Sequence, residues 1–216
     1  MTSKELFPDY TISERRLDQI IHGLGIVWAL AAVPILLVLA DPWDDAAKLI
    51  ACLLYSFGLL WMLILSAAYN GAIASLRKEI LRRMDHAGIF LLIAGSYSPF
   101  ALVKIGGAWG IAIFAVIWIL AAVGLVLALR FPRRGDRASL VLCLVMGWSI
   151  LVSIGPLIEA VSTSVFVLLA VGGGLFTAGV GFHLAHRLRF HNAIWHLFVL
   201  AAAVCHWVAV LLAMRG

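Results

Sequence analysis

Two pairs of polar residues spaced by four positions, Ser66 with Asn70 and Asn192 with His196, lie in otherwise apolar stretches of this 216-residue chain. Four residues is about one helical turn, so each pair presents its groups on one face. Asp85 opens a further apolar stretch at a similar depth. A hydroxyl, two amides, a carboxylate and an imidazole in one layer suit a metal ion, or a water activated by a general base. The same groups suit a structural hydrogen-bond network, with Asp85 favoured by the dipole at a helix N-terminus. Spacing alone leaves both readings open.

Six of the seven histidines, His22, His86, His183, His186, His191 and His196, fall near charged ends of apolar runs. His183, His186 and His191 read as solvated interfacial side chains beside a basic loop. His22 and His86 each begin a helix, where the ring can turn to headgroups or into the bundle. His206 sits inside a run and needs a partner there, a structural hydrogen bond being the expectation.

Other chemistries lack their residues. A retinal site needs a lysine in the middle of a late helix, and Lys48 and Lys104 both lie at run ends. Bis-histidine haem needs a mate for His206. No glycine-rich phosphate loop precedes a suitable helix, and Gly172-Gly173-Gly174 reads as close helix packing or a kink. Chains of acids for proton or sodium transport are missing.

The elements that position these residues follow from composition. Hydrophobic residues make up 64% of the chain and charged residues 12%, against about 45–50% and about 25% in a soluble domain. The bilayer is the solvent that fits. Apolar runs broken by charge predict seven transmembrane helices, at about 19–40, 47–72, 85–104, 109–130, 138–158, 163–184 and 192–214. The fold class expected is an all-α integral membrane bundle, one domain over 1–216, with too little chain left for an extramembrane domain. Thr11 and Glu14 have capping-box spacing on a short amphipathic lead-in.

Thirteen of the 16 Lys and Arg residues, including Lys4, Arg133 and Arg134, fall in segments that seven spans put on one side. Lys48, Lys104 and Arg215 fall on the other. The bias predicts a cytoplasmic N-terminus and an external C-terminus. The net charge of +5 is this same bias; no basic stripe with interleaved aromatics supports nucleic-acid binding. Cys52, Cys143 and Cys205 all lie in apolar runs and offer no disulfide framework. The first 18 residues are polar and mixed in charge, so no cleavable signal is expected.

Five ordered stretches carry a resemblance: Ile21-His22-Gly23-Leu24-Gly25, Ser66-Ala67-Ala68-Tyr69-Asn70, Arg83-Met84-Asp85-His86-Ala87-Gly88-Ile89, the segment 92–100, and Asn192-Ala193-Ile194-Trp195-His196 with its continuation to Leu200. They resemble signature segments of the bacterial hemolysin III proteins, within the progestin and adiponectin receptor family. The resemblance implies a seven-helix bundle with a cytoplasmic N-terminus. It also implies a zinc site held by three histidines, with an aspartate and a serine beside the metal-bound water, here Asp85 and Ser66. It implies lipid amide hydrolysis or receptor action in relatives, and roles in haemolysis and membrane homeostasis in bacteria.

This chain departs from that pattern. Asn70 and Asn192 stand at the positions of two family histidines, and His196 alone remains. A neutral amide oxygen is a poor zinc ligand, so zinc affinity at that position is expected to collapse. His191 faces about 100° away from Asn192, so only His22, His86 or Asp85 from other helices would rebuild the site. The expectation is a multi-pass protein of the plasma membrane, in a bacterium the inner membrane. Its partners are membrane lipids, with a lipid ligand in the bundle, and it acts in membrane homeostasis or lipid sensing with a degenerate zinc site. The alternative is a metal-dependent lipid amidohydrolase with a rebuilt site. Topology is tested with reporter tags: one at the N-terminus should read as cytoplasmic and one after Gly216 as external, and both ends on one side would mean a miscounted span.

Overall fold

A computed structural model describes residues 10–73, 75–131 and 136–215; Lys4, Arg133 and Arg134 of the charge count lie outside these. Among the described residues there is no strand, and seven helices are long and apolar enough to cross a membrane. They are α1 (Ile12–Ala40), α2 (Ala46–Gly71), α3 (Leu76–Ile105), α4 (Gly107–Arg130), α5 (Asp136–Ala160), α6 (Thr163–Leu184) and α7 (His191–Arg215). Helices are the spanning elements because their backbone groups are satisfied within each segment.

Two helices begin earlier than hydropathy places them. The lead-in of α1 is part of the helix itself: Thr11 is the N-cap, its side chain accepting from Glu14 N while Thr11 N donates to Glu14 Oε2 at 2.9 Å. Helix α3 starts at Leu76 rather than 85. Its first turns hold Arg77, Lys78, Glu79, Arg82 and Arg83, which read as a loop by hydropathy. They form a helix because Ser75 caps Lys78 N and Glu79 pairs with Arg82 and Arg83 three and four residues on.

Two spans break their regular hydrogen bonding. Past Pro99, α3 widens into a π turn over Phe100–Ile105, since proline donates no hydrogen bond there. Helix α5 tightens into a 3-10 turn over Ser149–Ser153. The Tyr97 hydroxyl of α3 enters that break, donating to Met146 O at 2.7 Å and accepting from Ile150 N at 2.8 Å. The backbone groups freed inside the bundle are thereby satisfied.

Helices α2 and α3 pack backbone to backbone through glycine. A Cβ on Gly95 would lie 2.7 Å from Leu54 O, and one on Gly58 2.6 Å from Leu91 O. Small residues are what permit such an approach. Gly172 of α6 likewise makes room for His206 of α7, whose Nε2 lies 3.4 Å from Leu169 O; this is the structural partner expected for His206. Gly95→Ala should therefore destabilise the protein by about 1–3 kcal/mol, whereas Gly23→Ala, whose added Cβ meets nothing within 4 Å, should not. Thermal unfolding of the two variants in detergent checks the contrast.

Candidate functional site

Asp18 and His22 lie one turn apart on α1, and each is only 6% exposed. A buried charge in an apolar bundle requires partners, and α7 supplies them. Asp18 Oδ1 lies 2.6 Å from His196 Nδ1, and Asp18 Oδ2 accepts from Asn192 Nδ2 at 3.3 Å. His22 Nε2 lies 3.6 Å from Asp18 Oδ2, and the His22 and His196 rings are 4.3 Å apart between centroids. One carboxylate therefore gathers two imidazoles and an amide.

The start of α7 is held in register with α1 by the α6–α7 turn. Phe190, at a φ of 62°, donates its N–H to Glu14 Oε1 at 3.0 Å. The residue that caps α1 thus also anchors the turn into α7, one helical turn from Asp18. Tyr10, just ahead of α1, packs on the His191 ring at 5.7 Å. Burial, with the Asp18 and Glu14 carboxylates adding, pushes its phenol up to about 12.

Asn192 Nδ2 also donates to Asn70 Oδ1 at 3.3 Å, and Asn70 Nδ2 donates to Ser66 O at 2.9 Å. The two asparagines close on each other, in a chain running from the Ser66 carbonyl to the Asp18 carboxylate. Asn70, Asp85, Asn192 and His196 all line one cavity of about 620 Å³. Buried Ser66 lines a second, of about 70 Å³, together with His22, Asp85 and His196. Asp85 makes no direct hydrogen bond to Asp18, His22 or His196 among the described residues.

Of the residues considered for rebuilding a metal site, His22 joins the cluster. His86 instead lies 3.6 Å from Asp136, which also receives Arg82. His191, expected to be solvated, is 7% exposed and packs edge-on against His186 at 5.3 Å. It is buried because the α6–α7 turn folds back onto α1. Asp18 is the residue that hydropathy missed, since its charge placed it ahead of the first span. Its signal was the one-turn spacing to His22.

At the positions where the resemblance implies zinc ligands, the two amides hydrogen-bond each other and Ser66 O and leave one imidazole, a donor set that does not fit the ion.

The family model described as "Haemolysin-III related" matches residues 10–207. The chain belongs to that family. It is 34% identical to Hemolysin-3 of Bacillus cereus over 211 residues, covering 98% of this chain and 96% of that protein. It is 32% identical to the Hemolysin-3 homolog of Bacillus subtilis over 202 residues, 94% and 95% of the two chains. The monocyte to macrophage differentiation factor of Homo sapiens is 30% identical over 200 residues, 88% of this chain and 79% of that one.

Within this haemolysin-III-related bundle the asparagine chain is a structural unit. Asn192→Leu removes two hydrogen bonds and should cost about 1–3 kcal/mol. A double-mutant cycle with Asn70→Leu should show coupling of at least about 0.5 kcal/mol, read from unfolding in detergent.

Proposed function

We propose that this chain is a lipid-binding protein of the cell membrane that acts in membrane homeostasis or lipid sensing, with a family zinc position that no longer holds zinc. The observation that carries the reading is the larger cavity. Its volume of about 620 Å³ lies within the about 300–1,000 Å³ of small-molecule sites. One end is polar, with Asp18, Asn192 and His196; the wall beyond is apolar, with Ile89, Leu92 and Phe176. It reaches His206, about 15 Å further along α7 than His196. An amphipathic lipid has that distribution of polarity.

Unused hydrogen-bonding capacity supports the same reading. Tyr55 Oη and His183 Nδ1 are buried without a partner, and both residues line the cavity. A polar headgroup or an ester oxygen would satisfy them. With a cytoplasmic N-terminus this polar end sits toward the inner leaflet. The second reading, a metal-dependent lipid amidohydrolase, is favoured by the imidazoles at that end of the cavity; amide turnover of ceramide that His196→Gln abolishes would put it first.

Gly173 lines the cavity, and a Cβ added there meets nothing within 4 Å. Gly173→Phe should fill the space without disturbing the fold. Mass spectrometry of protein extracted from native membranes should show lipid retained by the natural chain and reduced at least several-fold in the variant, at unchanged thermal stability. Equal lipid content in both would overturn the reading. At the family position, Asn70→His combined with Asn192→His should create a three-imidazole zinc site, counted by X-ray absorption at the zinc edge, because the two new imidazoles and that of His196 would then face one point.

A further inference from the structure

The haemolysin-III zinc position lies between α2 and α7, but this chain's imidazoles and buried carboxylate meet between α1 and α7. We propose that Asp18, His22 and His196 form a site for a divalent first-row transition metal, displaced from the family position onto α1. One potential ligand atom from each residue lies within 4.8 Å of the other two. Two imidazole nitrogens and a carboxylate oxygen are a recognised donor set for such ions, zinc and iron(II) among them, with open positions left for water.

The decisive atom is His22 Nε2. It is buried, it has no hydrogen-bond partner, and it stands 3.6 Å from Asp18 Oδ2, too far to hydrogen-bond. An orphaned imidazole nitrogen beside a carboxylate oxygen is what a cation between them would satisfy. Two donors around an ion at 2.0–2.1 Å in tetrahedral geometry stand about 3.3 Å apart, close to this separation. The 2.6 Å contact between Asp18 Oδ1 and His196 Nδ1 would open by about 0.7 Å on exchanging its shared proton for a metal.

Space and charge agree. The cavity of about 70 Å³ is bordered by two of the three ligands, His22 and His196, and by Ser66 and Asp85, room for about two waters, while Asp18 faces the larger cavity. With neutral imidazoles the three ligands carry one negative charge. The Asp85 carboxylate on the cavity wall offsets the remaining charge of a divalent ion. Asn192, donating to Asp18 Oδ2, orients the carboxylate. The asparagines at the old ligand positions therefore position a ligand of the new site. The site shares Asp18 and His196 with the polar end of the larger cavity, but its ligand set requires no lipid there.

The test uses the full-length protein in detergent, stripped of metal and titrated with Zn²⁺. One zinc per chain is expected, together with a rise in melting temperature. Asp18→Asn and His22→Gln should each weaken zinc binding by at least about 100-fold, a loss fit for a direct ligand rather than an orienting neighbour. His86→Gln, which touches Asp136 instead, should leave it unchanged. X-ray absorption at the zinc edge of the unmodified protein needs no variant, and should count two imidazoles and at least one oxygen ligand. Failure to bind zinc, binding that Asp18→Asn and His22→Gln leave within about threefold, or a count of three imidazoles would each overturn the proposal. Lipid content measured on the same samples reports separately on the lipid-binding reading.

Discussion

A carboxylate inside an apolar bundle must be answered by donors from the elements around it, and the answer to Asp18 organises this molecule's polar end. His22 comes from the same helix one turn on, and His196 and Asn192 come from α7. First and last helices are thereby joined face to face. Asn192 extends the network to α2 through Asn70. The capping residue Glu14 holds the turn before α7 by Phe190 N, so the local start of one helix and the long-range register of another depend on the same few residues.

The asparagines at the two positions where the resemblance implies histidine are accounted for within the same network. An amide carries both donors and an acceptor, so Asn70 and Asn192 satisfy each other and the groups beside them without an ion. The polar end still holds two imidazoles beside the carboxylate. His22 is brought beside His196 by the Asp18 carboxylate, so the imidazoles and buried carboxylate of the layer meet at the α1–α7 seam.

The larger cavity depends on how the other helices are built. Helices α2 and α3 are drawn together backbone to backbone at Gly58 and Gly95. The break in α5 is stabilised by Tyr97 reaching across from α3. Arg82 and His86 meet Asp136 at the start of α5, tying α3 and α5 at the polar end too. The space these helices enclose, with Asp18 of α1 and Tyr55 and Asn70 of α2 also on its wall, is polar at one end and apolar beyond.

Much of this was legible in the sequence. The seven spans follow from apolar runs, because a bilayer allows only segments that satisfy their own backbone. Ser66 with Asn70 and Asn192 with His196 share helix faces because four residues make a turn, a local property that needs no partner. Asp18 was not legible in the same way. Hydropathy reads its charge as a signal for water, and its burial is decided by His196, 178 residues away. The early start of α3 is similar, since its charged first turns are stabilised by pairs among themselves and by Asp136 rather than by apolar content. Periodicity determines which residues share a face. Which faces meet, and so which histidine joins which carboxylate, is decided only when the helices pack, because that choice rests on contacts between residues far apart in the chain.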